Sequence, residues 1–191
     1  MTVFQETDEN ALVQAAQQGN AEAFGQLYER YAARLFGFLR ASLNDPQDAE
    51  DLTVEVFIKA WQALSGYQPR GLPFGAFLFR IARNALTDRY RLRRQTETLL
   101  PEDWADATQP DPAISLEARQ QRGELARALQ ALRPEYRTVL ALRFLAGLSP
   151  EETAAAMGKS NGAVRILQHR ALAALRSIME QPEQVRDEHS Q

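Results

Sequence analysis

The chain has 191 residues, 45% hydrophobic and 25% charged, with 22 Lys+Arg against 25 Asp+Glu and a formal net charge of −3; this is a globular composition, not a disordered one, and is long enough to bury a core in one domain or two small ones. Its lack of cysteine excludes a disulfide framework, a thiolate metal site and a thiol redox sensor, and fits a reducing compartment. The acidic start MTVFQETDEN has no basic flank or apolar run of a signal peptide, and no apolar stretch approaches the roughly 20 residues that span a bilayer, so a cytoplasmic protein without membrane insertion is expected.

Alanine, leucine, arginine, glutamate and glutamine dominate, and apolar positions recur at three and four. This periodicity predicts helices over about 8–18, 21–41, 46–64, 74–94, 118–132, 135–146, 150–157 and 161–178. NDPQD places Asp45 as N-cap with Pro46 in the first turn, and SPEE places Ser149 as N-cap with Pro150 next and Glu152 closing a capping box. The exception is TETLLPEDWADATQPDPAI, with three prolines and five acids, which reads as an extended solvated linker. The fold expected is therefore all-α: two small helical domains, 1–95 and 118–178, joined by an extended acidic linker over 96–117 and followed by a disordered tail over 179–191.

Charge is segregated along the chain. Asp45, Asp48, Glu50, Asp51 and Glu55 stand together without a base, whereas residues 80–94 hold six arginines against the single Asp88. In DAEDLTVEVFIKAWQAL, Asp48, Asp51 and Glu55 share a helical face, Glu55 pairs with Lys59 at i,i+4, and Val56, Phe57, Ala60, Trp61 and Leu64 form the expected buried side. One helix face makes a poor oxygen cage for a hard metal, so a solvated face or a protein-docking face is expected, with no metal and no cofactor.

In FLFRIARNALTDRYRLRR an apolar stripe of Phe74, Phe77, Leu78, Ile81, Ala82, Ala85 and Leu86 leaves Arg80, Arg83, Asn84, Thr87 and Arg91 on the remaining surface. Arginines there suit phosphates, and Asn84 suits a base edge. Tyr67, in the preceding Gly- and Pro-rich loop, suits either stacking on an unpaired base or a structural role.

The segment LSPEETAAAMGKSNGAVRILQHRALAALR has the spacing of a helix-turn-helix: small Ala154, a turn at Gly158, a second helix opened by Ser160, and Val164 between the two. Val164, Leu167, Ala171, Ala174, Leu175 and Ile178 fall on one face; Asn161, Arg165, Gln168, His169 and Arg176 fall on the other, with Arg170 at its edge. Arg and Gln on that face are suited to guanine and adenine; a solvated helical hairpin is the alternative.

In this order and over most of residues 20–178, the segments resemble a bacterial RNA polymerase sigma factor of the extracytoplasmic function (ECF) group. DAEDLTVEVFIKAW resembles the region 2 helix that docks on polymerase, PFGAFLFRIARNALTDRYR the region 2 helix that melts and reads the minus-10 element, and LRPEYRTVLALRFLAGLSPEETAAAMGKSNGAVRILQHRALAALR region 4. The resemblance implies a protein that is not an enzyme. Its implied partners are core RNA polymerase, through the clamp of the beta-prime subunit and the flap of the beta subunit, promoter DNA and an anti-sigma factor. Asp48, Asp51, Leu52, Glu55 and Phe57 would contact polymerase. Tyr67, Arg80, Arg83, Asn84 and Arg91 would engage the minus-10 element; Ser160, Asn161, Arg165, Ile166, Gln168, His169 and Arg170 the minus-35 element. Two departures stand out: Phe77 replaces a usual Trp, and VRILQHRA replaces the commoner VKSRLHRA, putting Leu167 where arginine is expected and Gln168 where an apolar residue is.

Two other functions compete. A stand-alone helix-turn-helix regulator leaves DAEDLTVEVFIKAW unexplained. A helical enzyme using the carboxylates of 45–55 lacks a phosphate loop, a nucleophile with a placed base and a metal-ligand pair.

Overall fold

A computed structural model describes residues 3–43, 45–68, 72–96 and 116–180. The core of the expected linker and the tail from 181 lie outside these, as do the side chains of Arg93 and Arg94. Among the described residues there are eight helices and no strand: α1 (Val3–Gln17), α2 (Ala21–Arg40), α3 (Pro46–Ala63), α4 (Phe74–Thr96), α5 (Leu116–Ala131), α6 (Pro134–Leu140), α7 (Pro150–Met157) and α8 (Asn161–Glu180).

Local chemistry sets the helix ends. The Asn20 side chain accepts from the Ala23 N–H and that of Asp45 from the Gln47 N–H, so α2 and α3 start with orphan donors satisfied. Ser149 and Glu152 exchange the two bonds of a capping box at the head of α7. Gly158 ends α7 at φ +66°, left-handed backbone that glycine enters without strain, and Ser160 caps α8 through the Ala163 N–H.

The predicted helix over 135–146 is not uniform. After Leu140 the chain widens into a π-helical turn, Ala141–Leu145, closed by the Ala146 N–H to the Ala141 carbonyl at 2.8 Å. Ala141, Leu142 and Ala146 are buried there, while Phe144 and Leu145 face outward.

Helices α1 to α4 pack as one group and α5 to α8 as another, but the groups are not separate. One apolar cluster runs from Val13 through Phe38, Leu52 and Phe79 to Leu142, Ala156 and Val164. Its seam is α4 against α7. This contact explains why α4 is buried from Phe74 to Phe79 on all sides, more than the single predicted stripe: a helix segment apolar all round is covered all round. Gly75 permits the close approach, since a Cβ there would lie 3.2 Å from the Tyr31 ring and 3.5 Å from Glu152 Oε1.

Thr153, fully buried on α7, has a hydroxyl with no hydrogen-bond partner among the described residues. An unsatisfied buried hydroxyl is destabilising, so Thr153→Val, which keeps the shape, is expected to raise stability by about 1 kcal/mol, measured as a higher urea midpoint at unchanged slope.

Candidate functional site

The first surface lies on α3 and α2. Val54, Ile58 and Trp61, at helical spacing, are exposed at 52%, 52% and 38%, and Tyr28 of α2 is exposed at 42%. Aromatic contacts join them: Tyr28 to Phe57 at 4.6 Å and Phe24 to Trp61 at 4.8 Å between ring centroids. Exposed Asp51 and half-buried Glu55, the latter 2.6 Å from Lys59, lie on the same helix. An apolar strip with acidic neighbours has the character of a docking surface.

Several expectations change here. Trp61 is partly exposed rather than on the buried side. Leu52 and Phe57 are buried, so they shape the strip from beneath and present no free side chain. Asp48 forms an ion pair with Arg89 that ties α3 to α4. The exposed Val54–Ile58–Trp61 row had a sequence signal, because α3 carries apolar residues on more than one face.

The second surface is on α4. Asn84 and Arg80 are exposed, and among the described residues no ion pair engages Arg80. Arg91 is exposed and pairs with Asp88 at 2.9 Å. Arg83 is half-buried, its guanidinium donating to the Met157 carbonyl at the end of α7 at 2.5 Å. Thus the arginine run is divided: Arg89 binds α3, Arg83 binds α7, and Arg80, Asn84 and Arg91 remain on the surface.

Tyr67 is buried rather than presented for stacking. Its ring lies 4.5 Å from that of Phe77, itself buried, and its hydroxyl donates to the Leu72 carbonyl. Gln17 of α1 holds the same loop by donating to the Leu64 and Tyr67 carbonyls. Burial pushes the Tyr67 hydroxyl up to about 12, with Glu9 adding to the shift. The Tyr31 hydroxyl is driven up further by burial and then by Glu9, to which it donates at 2.7 Å. Both phenols stay neutral at physiological pH.

The third surface is α8. Ser160, Asn161, Arg165, Ile166, His169 and Arg170 are all exposed, Ile166 at 57%. They follow two adjacent i,i+4 rows, a cationic stripe opposite buried Val164 and Ala171. Gln168 is the exception: it is half-buried and accepts from Arg143 Nε at 3.1 Å, so it braces α8 against the π turn. Arg176 is exposed and pairs with Glu180.

Residues 27–96 match the sigma-70 region 2 family and residues 122–175 the sigma-70 region 4 family. The chain is 38% identical over 182 residues to the ECF RNA polymerase sigma factor ShbA of Streptomyces griseus, covering 90% of this chain and 95% of ShbA. The chain belongs to the ECF group of RNA polymerase sigma factors. It is also 35% identical over 170 residues to the ECF sigma factor BldN of Streptomyces coelicolor, covering 88% of this chain but 64% of BldN. It resembles the solved structure of CnrH in complex with the cytosolic domain of CnrY, with a TM-score of 0.71 and 31% identity over 91% of this chain and 97% of that one. The sigma factor's role is promoter recognition and transcription initiation with RNA polymerase, not catalysis of its own. Its region 2 spans most of α2 through α4, and its region 4 runs from α5 into α8. Among the described residues no helix is long and apolar enough to cross a membrane, and no cluster of His, Cys, Asp or Glu is arranged to hold a metal.

Proposed function

We propose that this sigma factor works through four separate surfaces in the cytoplasm. The Tyr28, Val54, Ile58 and Trp61 strip, with Asp51 and Glu55 beside it, fastens region 2 to the clamp of the beta-prime subunit. The exposed Phe144 and Leu145 of the π turn supply apolar area for the flap of the beta subunit. Asn161, Arg165, Ile166, His169 and Arg170 of α8 enter the minus-35 major groove, with Ser160 at the helix start.

On α4, Asn84 reads an unpaired base of the minus-10 element while Arg80 and Arg91 hold nearby phosphates; Arg83 and Tyr67 join them only after leaving their present partners. Strand opening then follows from tighter binding to single-stranded than to paired DNA, with no covalent step. Phosphate contacts give salt-dependent affinity, and base contacts give the choice of site. An anti-sigma protein restrains this chain, as CnrY accompanies CnrH, and the exposed apolar residues on both domains are the surface it covers.

The observation that carries this reading is the exposure of Asn84 and Arg80 side by side on α4. Asn84→Ala is expected to reduce promoter opening about tenfold, the low end of a lost base contact, as read by permanganate reactivity of the minus-10 thymines. Association with core polymerase is expected to stay unchanged. Equal opening by the variant removes Asn84 from the reading role.

A further inference from the structure

The seam between regions 2 and 4 has a recurring chemistry. A helix leaves its last carbonyls unpaired and carries partial negative charge at its C-terminus. At three points along the seam a side chain from one region satisfies such a carbonyl in the other. Arg34 of α2 donates through Nε to the Ala146 carbonyl, just past the π turn, at 2.6 Å. Arg83 of α4 donates to Met157, the last residue of α7, at 2.5 Å. Gln130 of α5 donates to Ala41, the C-cap of α2, at 3.1 Å.

We propose that these cross-region caps latch the free sigma factor closed, and that Arg83 is contested between the end of α7 and the DNA backbone. Two of the three latches are charge-assisted, which makes them stronger than neutral hydrogen bonds. They sit on a continuous apolar seam, so closure combines burial with specific end-capping. Arg83 cannot donate the same N–H to Met157 and to a phosphate, and α7 covers the first turns of α4 while it remains docked. Opening therefore frees α4 along with Arg83, and whatever draws α7 away prepares region 2 for DNA. The contest over Arg83 rests on α4 being the minus-10 helix; the latch itself does not.

The chain's lack of cysteine allows a direct test. Gln62→Cys on α3 and Ser177→Cys on α8, both exposed positions, accept a pair of spin labels on the full chain. In the free protein a narrow distance distribution is expected. Arg34→Gln, which lies outside the proposed DNA and polymerase surfaces, is expected to broaden and lengthen it with unchanged helical circular dichroism; Gln130→Ala provides a second, smaller perturbation. Arg34→Gln is also expected to tighten binding of the free chain to a single-stranded minus-10 oligonucleotide about tenfold, the equivalent of ~1.4 kcal/mol. A broad distribution in the unaltered chain, or one unmoved by both variants, overturns the latch whatever transcription shows. A narrow distribution that opens in the variants, with oligonucleotide affinity unchanged, keeps the latch and rejects the contest over Arg83.

Discussion

Val54→Glu combined with Ile58→Glu is expected to weaken association with core RNA polymerase about 100-fold, ~2.8 kcal/mol, while leaving the folded chain intact. Both side chains are 52% exposed, so their replacement removes little buried area and the melting temperature is expected to change little. In the complex the same positions would be desolvated, and two uncompensated carboxylates at the centre of an apolar contact are strongly unfavourable. Fluorescence anisotropy of labelled chain titrated with core enzyme measures the effect. Asp51→Asn is a useful contrast, because a charge at the rim mainly alters association rate and salt dependence. If the double variant binds as well as the unaltered chain, the apolar strip is not the docking surface.

Phe79→Ala is expected to destabilise the protein by about 3–5 kcal/mol, the range for truncating a buried aromatic. Phe79 is fully buried on α4 and stands edge-on to Phe38 of α2, with ring centroids 5.5 Å apart at 86°. Removing it leaves a cavity directly under the turn that carries Arg80. Against a typical stability of about 5–15 kcal/mol, that loss removes roughly a fifth or more. Urea unfolding followed by tryptophan fluorescence measures it. A change below about 1 kcal/mol, the scale of surface substitutions, would mean that α4 is not packed on α2 in solution.

Helix positions were legible in the sequence because their signals are local. Asp45 with Pro46, Ser149 with Glu152, and Gly158 before Ser160 each mark an end through bonds to backbone within a few residues. The helix-turn-helix was legible for the same reason. The engagement of particular side chains was not. Nothing near Gln168 in the chain announces that Arg143 will reach it, and nothing near Arg83 announces the end of α7, 74 residues further on.

Phe79 and Trp61 show the same limit from the side of burial. A single stripe assigns one buried face per helix, whereas α4 is covered by α2 and α3 on one side and by α7 as well, and α3 leaves part of an apolar face open. Both outcomes depend on which elements meet, and neither is contained in the period of the segment. The six acids over 96–117, expected to keep the linker extended and solvated, lie almost wholly outside the described residues.

The most direct measurement is run-off transcription from a library of genomic fragments with core RNA polymerase, with and without the purified chain, mapping every start site. A new set of starts that require the chain, preceded by a shared pair of upstream elements, is the expected result. An identical set of starts in both reactions, from a preparation that folds cooperatively, would contradict the assignment of these surfaces to polymerase and promoter.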